Sequence, residues 1–66
     1  MNLTGDPDGL QALRQIKEER KDFLKFLITE AKTSFGRFAE FRGADGRRWK
    51  MTYVAQRDEM VVEPMP

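Results

Sequence analysis

The sequence predicts an α+β fold in which one long N-terminal helix packs on a three-stranded antiparallel meander, in the order αβββ. Two observations predict this fold. Apolar residues recur at helical spacing before Gly36, and apolar residues alternate with polar ones after it. Repeats of about 3.6 and 2 residues are the periods of an amphipathic helix and of a half-buried strand. A chain of 66 residues suffices for a single small domain, which we expect to span residues 1–66.

The predicted helix runs from about residue 7 to about residue 35. Asp6 can cap its N-terminus, Pro7 suits the first helical position, and Gly36 suits the left-handed conformation that closes many helices. At about 100° per residue, the large apolar residues of this stretch share one face about 140° wide, which indicates an amphipathic helix. These residues are Leu10, Leu13, Ile16, Phe23, Leu24, Leu27, Ile28, Ala31 and Phe35.

Arg20 projects onto the middle of this apolar face, and two interpretations stay open. Its aliphatic stem packs while its guanidinium reaches water, or its charge pairs with a carboxylate of a second subunit and sets the register of the contact. A straight helix of about 28 residues is about 40 Å long, whereas strands of this length span only about 20 to 27 Å. The helix therefore either breaks near Arg20 or projects beyond the sheet.

A projecting N-terminal half of the helix would need a partner to cover its apolar side chains. Because the core that a single chain of this length can build is small, we expect a homodimer that self-associates through the helix. The candidate residues for this contact are Leu10, Leu13, Ile16 and Arg20.

The meander is predicted over about residues 37–63, and its two turns set the register. A Gly-Ala-Asp-Gly turn fits a three-residue loop that ends in a left-handed glycine, which places Phe41 opposite Trp49. An Arg-Asp turn places Ala55 opposite Met60. A short proline-containing C-terminal tail ends the sheet, because proline cannot donate to a ladder. Both turns predict the same inward face, made of Ala39, Phe41, Trp49, Met51, Tyr53, Ala55, Met60 and Val62.

A group of cations near the first turn is a candidate anion-binding or nucleic-acid-binding site. Arg42 and Arg48 face each other across the predicted hairpin, where like charges repel unless an anion lies between them. The other interpretation is a solvated, charged sheet edge that prevents aggregation. If the site is functional, the residues that contact a phosphate backbone are Arg42, Arg47, Arg48 and Lys50.

Three apolar residues on the outward sheet face form a second candidate site. Phe38, Val54 and Val61 are expected to adjoin each other there, beside the charged residues. An apolar patch with a charged rim is typical of a protein-binding surface. Exposed apolar residues of this number are also common on surfaces that bind nothing.

Composition argues against most enzymatic chemistry. The chain has no cysteine and no histidine, so it lacks disulfides, the commonest general base and the commonest transition-metal ligand. Its single serine has no histidine to activate it, and its carboxylates lack the spacing of a metal-binding loop. We therefore expect no enzymatic activity, no metal ion, no cofactor and no small-molecule substrate.

The chain also lacks the sequence features of secretion and membrane insertion. Its first residues do not combine a charged region with an apolar one, as a signal peptide does. No apolar run approaches the roughly 20 residues that span a bilayer. We expect a cytoplasmic protein with no membrane partner.

Two functional hypotheses follow. The first is a small non-enzymatic interaction protein, of a regulator or inhibitor type, that self-associates through its helix and binds a protein partner through the outer sheet face. The alternative is a nucleic-acid-binding accessory protein that contacts the phosphate backbone with the four cations. A formal charge of only +1 favours the first, because proteins that bind nucleic acid through bulk electrostatics are more basic.

Overall fold

The computed structural model describes residues 2–65, which form two helices and a four-stranded mixed sheet. The strands lie side by side in the order β1, β4, β3, β2. Strand β3 pairs antiparallel with both β2 and β4, and β1 pairs parallel with β4. In chain order the elements are β1 (Asn2–Gly5), α1 (Pro7–Glu19), α2 (Lys21–Thr33), β2 (Phe38–Arg42), β3 (Arg48–Val54), a 3₁₀ turn (Ala55–Arg57) and β4 (Glu59–Pro64).

The predicted αβββ order is wrong, first because a strand precedes the helical region. Strand β1 lies along β4, and the Asp6 N–H donates to the Val62 carbonyl oxygen at 2.9 Å. The Asp6 side chain then accepts from the Asp8 N–H at 2.9 Å, so the predicted cap forms directly after the strand. With four residues, β1 is too short for its apolar alternation to be recognised.

The single long helix is also wrong, because the helical path breaks at Arg20. This residue has φ −142° and ψ 68°, and its N–H still donates to the Ile16 carbonyl oxygen at 2.7 Å. Each resulting helix has 13 residues and is about 20 Å long. The break lets both apolar faces pack on one sheet face, where Leu13 and Leu27 are only 2% and 1% exposed. No half of the helix projects into solvent.

The second helix ends earlier than predicted, at Thr33. The Ser34 hydroxyl accepts from the N–H of Phe38 at 3.0 Å and closes the connection to β2. The left-handed residue of this connection is Arg37, with φ 58°, and not Gly36. Phe35 is fully exposed and does not belong to the apolar face of the helix.

The first hairpin has the predicted register, with Phe41 opposite Trp49, and Gly46 is left-handed with φ 86°. The second hairpin is shifted by two residues, and Met60 lies opposite Tyr53 instead of Ala55. The shift arises because the 3₁₀ turn takes up Ala55 and Gln56, which were assigned to a strand, together with Arg57 of the predicted turn. An even shift keeps the side chains within the paired strands on their predicted faces, but Ala55 is exposed in the 3₁₀ turn and does not belong to the inward face. Pro66, the last residue of the predicted tail, lies outside the described residues.

The core lies between the two helices and one face of the sheet. Helix α1 approaches the sheet closely at Gly9, where an added Cβ would lie 2.5 Å from a methyl group of Val62 and 2.8 Å from the Trp49 ring. The buried apolar side chains are Ala12, Leu13, Ile16, Leu27, Ala31, Ala39, Phe41, Trp49, Met51, Met60 and Val62. Since both helices pack on this inner face, the opposite face of the sheet carries neither of them.

Candidate interaction surface

The outer face of the sheet carries a row of side chains that crosses all four strands. Phe38 lies opposite Thr52, Thr52 opposite Val61, and Val61 beside Thr4. Their neighbours along the strands, such as Ala39 and Met51, are buried in the core, and successive residues of a strand point to opposite faces. The row therefore faces away from the helices.

Three apolar residues surround Thr52 on this face, namely Phe38, Val54 and Val61. We call these four residues the outer patch. Phe38 is 37% exposed, and Val54, Val61 and Thr52 are half-buried, even though neither helix packs on this face within residues 2–65. The structure thus brings the three predicted partner-binding residues together on one uncovered surface.

Charged residues of both signs border the outer patch. Lys50 lies in register between Glu40 and Glu63, and its Nζ is 5.1 Å from the centre of the Phe38 ring. Glu59 accepts a hydrogen bond of 2.9 Å from the Thr4 hydroxyl at the opposite border. Opposite charges alternate along this border, so the outer face presents no field of a single sign.

The four cations predicted to hold a phosphate backbone do not form one cluster. Arg47 turns toward the helices, where its Nη1 lies 3.3 Å from Asp8 and its Cζ lies 4.5 Å from the centre of the Trp49 ring. The Nη2 of Arg48 lies 3.6 Å from the Oε2 of Glu40. Arg42 forms no ion pair within residues 2–65. The contact between Arg47 and Asp8 was not predictable, because it depends on where the N-terminus of α1 lies.

Two of the residues predicted to mediate self-association are buried within the chain itself. Leu13 and Ile16 are 2% and 7% exposed in the core, and Leu10 is half-buried. Arg20 is exposed, and its guanidinium lies 4.4 Å from the centre of the Phe23 ring. This position agrees with the first interpretation of Arg20, in which its guanidinium reaches water. Self-association stays a prediction.

An exposed contact between two aromatic side chains on α2 was not predicted from the sequence. Phe23 and Phe26 stack with ring centres 6.2 Å apart, and Phe26 is 58% exposed. Their spacing of three residues predicts neighbouring positions on a helix. A projection at about 100° per residue places Phe26 on the polar side of the helix, but such a projection cannot reveal the stacking.

Tyr53 and Asp58 close the second hairpin through a hydrogen bond. The Tyr53 hydroxyl donates to the Asp58 carboxylate at 2.9 Å. This bond lowers the pKa of Asp58 below its ordinary value and raises the pKa of Tyr53, because it stabilises the ionised carboxylate and the neutral phenol. The pair lies on the helix side of the sheet, where the Nζ of Lys32 is 5.3 Å from the centre of the Tyr53 ring.

The Tyr53→Phe variant is expected to raise the pKa of Asp58 toward its ordinary value. In the native protein the folded-state pKa is depressed, so the stabilisation is present above the unfolded-state pKa and is lost as pH falls through the folded-state pKa. An NMR titration of the Asp58 carboxyl carbon in both proteins measures the change. An unchanged pKa of Asp58 in the variant would show that the hydrogen bond does not hold it down.

The part of the chain that the structure describes contains no group of three or more acidic side chains placed to hold a metal ion. Within residues 2–65, neither helix has the length and apolarity that crossing a membrane requires. No buried side-chain nitrogen or oxygen of the described residues lacks a hydrogen-bond partner.

Comparison with known proteins places the chain in no group. No protein-family model, no curated protein and no solved structure matches it.

Proposed function

We propose that this chain is a small non-enzymatic interaction protein, of a regulator or inhibitor type, that binds a protein partner through the outer patch. The observation that carries the proposal is a sheet face without helices, whose apolar centre is bordered by charges of both signs. Protein interfaces have this anatomy, with an apolar centre and a polar rim. We place this activity in the cytoplasm.

Phe38 is the anchor that the proposal assigns to the contact. It is the large aromatic side chain of the outer patch, and aromatic side chains are enriched among the residues that dominate binding energy. Fully burying such a side chain contributes about 1.5 to 3 kcal/mol, and the gain here is smaller because Phe38 is already partly covered. Because the patch is held by paired strands, little conformational entropy is lost when a partner binds.

Affinity capture from the native lysate tests this proposal when wild type is compared with two charge variants. In the first, Val54→Glu with Val61→Glu places two carboxylates in the outer patch, and we expect the bound protein to be lost. The control, Gln11→Glu with Gln56→Glu, adds the same charge at exposed positions outside the patch. It should retain the partner. Equal capture by all three proteins, with circular dichroism showing each to be folded, would contradict the proposal.

Nucleic-acid binding is the alternative proposal, and the position of the Arg42 side chain favours it. This guanidinium lies opposite Arg48 and has no ion pair within residues 2–65. Because the other cations are dispersed or paired, we expect at most two phosphate contacts. Phosphate binding weakens with salt along a log-log slope of about 0.9 per contact on duplex DNA.

The double variant Arg42→Glu with Arg48→Glu is expected to fold and to lose any binding of nucleic acid. Both side chains are exposed, so the reversal disturbs no core contact, although it removes the ion pair between Arg48 and Glu40. Fluorescence anisotropy with labelled single-stranded and duplex oligonucleotides, over a range of salt concentrations, measures the binding. Tight wild-type binding that disappears in the variant would replace the protein-binding proposal with this one.

Self-association is a separate proposal that the molecular mass in solution tests. Among the residues predicted for it, only Leu10 and Arg20 reach the surface. Sedimentation equilibrium on wild type and on Arg20→Glu, whose exposed side chain lies outside the groove lined by Leu10, should give twice the chain mass for wild type and a lower mass for the variant. A monomer mass for wild type would end this proposal without affecting the outer patch.

A further inference from the structure

A second apolar surface lies on the helix side of the molecule, beside strand β1. We call it the lateral groove. It has a volume of about 180 Å³ and is lined by Leu3, Leu10, Leu13, Arg14, Lys17 and Leu24. It is separate from the outer patch, because its residues belong to the inner face of the sheet and to the two helices.

The lateral groove exists because the helices do not cover the edge of the sheet. Leu3 pairs with Met60 in the parallel register, so both side chains point to the inner face. Met60 is completely buried, whereas Leu3 is 46% exposed. The apolar face of the sheet therefore continues past the core and remains open above β1.

The charges around the lateral groove have a single sign. Arg14 and Lys17 line it, and no carboxylate among the described residues does. Neither cation forms an ion pair within the chain from residue 2 to residue 65. A ligand with carboxylates beside an apolar group would complement this surface, and a basic ligand would be repelled.

The size of the lateral groove fits one apolar side chain better than a whole small molecule. Small-molecule sites usually have volumes of about 300 to 1,000 Å³, and this groove is smaller. A groove of this size, with leucines on its walls, is suited to an anchor residue of a polypeptide.

The backbone of β1 offers hydrogen bonds next to the groove. The N–H groups of Asn2 and Asp6 donate to carbonyl oxygens of Asp58 and Val62, at 3.2 and 2.9 Å. Because successive residues of a strand direct their backbone groups to opposite sides, Leu3 directs its N–H and C=O away from β4. An extended peptide can pair with such an edge and place alternate side chains on the adjoining surface.

We propose that an extended acidic segment of another protein pairs with the free edge of β1 and inserts an apolar side chain into the lateral groove. A second copy of this chain fits the groove less well. In a symmetric contact centred on Leu10, the Arg14 and Lys17 side chains of the two copies would approach each other, and like charges in an interface are unfavourable.

The proposal is tested by selecting a displayed library of random peptides on the immobilised full chain. We expect the enriched peptides to carry Asp or Glu on both sides of Leu, Ile, Val or Phe. Single peptides from the selection are then labelled and measured by fluorescence anisotropy. A library that yields no binder, or one enriched in basic peptides, overturns the proposal.

Two variants locate the binding site of the selected peptides. Arg14→Glu with Lys17→Glu should weaken binding at least tenfold, and Leu3→Ser should do the same without altering charge. The matched control, Arg42→Glu with Arg48→Glu, carries the same charge reversal at the far hairpin and should bind as wild type does. Equal weakening by control and groove variants, or no weakening by either groove variant, overturns the proposal.

Hydrogen exchange distinguishes strand addition from other contacts. The Leu3 amide should exchange rapidly in the free protein and become protected when a selected peptide binds. Binding without protection of Leu3 would overturn the strand pairing. If wild type is a dimer and Leu3→Ser is a monomer, the lateral groove binds a second copy of this chain. That result would also overturn the proposal. Loss of binding to phosphatidylserine vesicles in the groove variants, with no peptide selected, would instead assign the groove to a lipid surface.

Discussion

Trp49→Ala is expected to leave most of the protein unfolded at 25 °C. The Trp49 side chain is 1% exposed and lies near the start of the central strand β3, in register between Phe41 on β2 and Pro64 on β4. Removing a buried tryptophan costs about 3 to 5 kcal/mol. A core of this size supplies only about 3 to 5 kcal/mol of net stability, so the loss is comparable to the whole. Urea titration followed by far-ultraviolet circular dichroism measures it.

Phe35→Ala is the matched control for this prediction. It also truncates an aromatic side chain, but Phe35 is fully exposed. Its midpoint of urea unfolding should stay within error of wild type, because surface substitutions of this kind change stability by less than about 0.5 kcal/mol. If Trp49→Ala kept the same midpoint as Phe35→Ala, the assignment of the core would be wrong.

Gly5→Ala is expected to detach β1 from β4. Gly5 has φ 122°, a conformation that side chains rarely adopt, and an added Cβ would overlap the backbone oxygen of Val62. The strained conformation alone costs about 1 to 3 kcal/mol, and a backbone atom cannot move aside as the end of a side chain can. The Thr4 and Asp6 amides should lose their protection from hydrogen exchange, while Met51 in the centre of the sheet should keep its protection.

Gly46→Ala separates the cost of the strained backbone conformation from the cost of the overlap with Val62. Gly46 also has a positive φ, 86°, but beyond its two chain neighbours no heavy atom of the described residues lies within 4 Å of the position of an added Cβ. This variant should show only the conformational cost, about 1 to 2 kcal/mol, with the sheet intact. If both variants lost the same stability and both kept β1 protected, the close approach of β1 to β4 would not exist in solution.

The first hairpin was predictable because its determinants are local. Its turn residues select a loop type, and the period of two assigns each side chain to a face. The same period placed Phe38, Val54 and Val61 on one outer face, so the main features of the candidate surface could be read from the chain. The second hairpin was less predictable, since no residue pattern in its sequence indicates the 3₁₀ turn before Asp58.

Strand β1 could not be predicted from local pattern, because four residues carry too little periodicity. Its pairing partner β4 lies at the other end of the chain, where Asn2 meets Glu59. The break at Arg20 was one of two alternatives that the sequence left open, since neither proline nor glycine marks it. It follows from the size of the sheet, which two helices of 13 residues can cover and one straight helix cannot.

The predicted cation cluster failed for a related reason. Sequence spacing placed Arg47 near Arg48 and Lys50, but neighbouring residues at a turn point in different directions. Arg47 faces the N-terminus of α1 and contacts Asp8, which lies 39 residues earlier in the chain. Long-range topology, and not local pattern, thus decided which charges remain available on the outer face.

Site-specific photo-crosslinking tests the proposed binding surface most directly. A photoreactive phenylalanine analogue replaces Phe38 in the outer patch or, as the control, the exposed Phe35 in the connection between α2 and β2. We expect that in the native lysate the Phe38 position forms one discrete adduct with a protein and the Phe35 position does not. An adduct formed only at the Phe35 position, or an adduct with nucleic acid at Phe38, would contradict it.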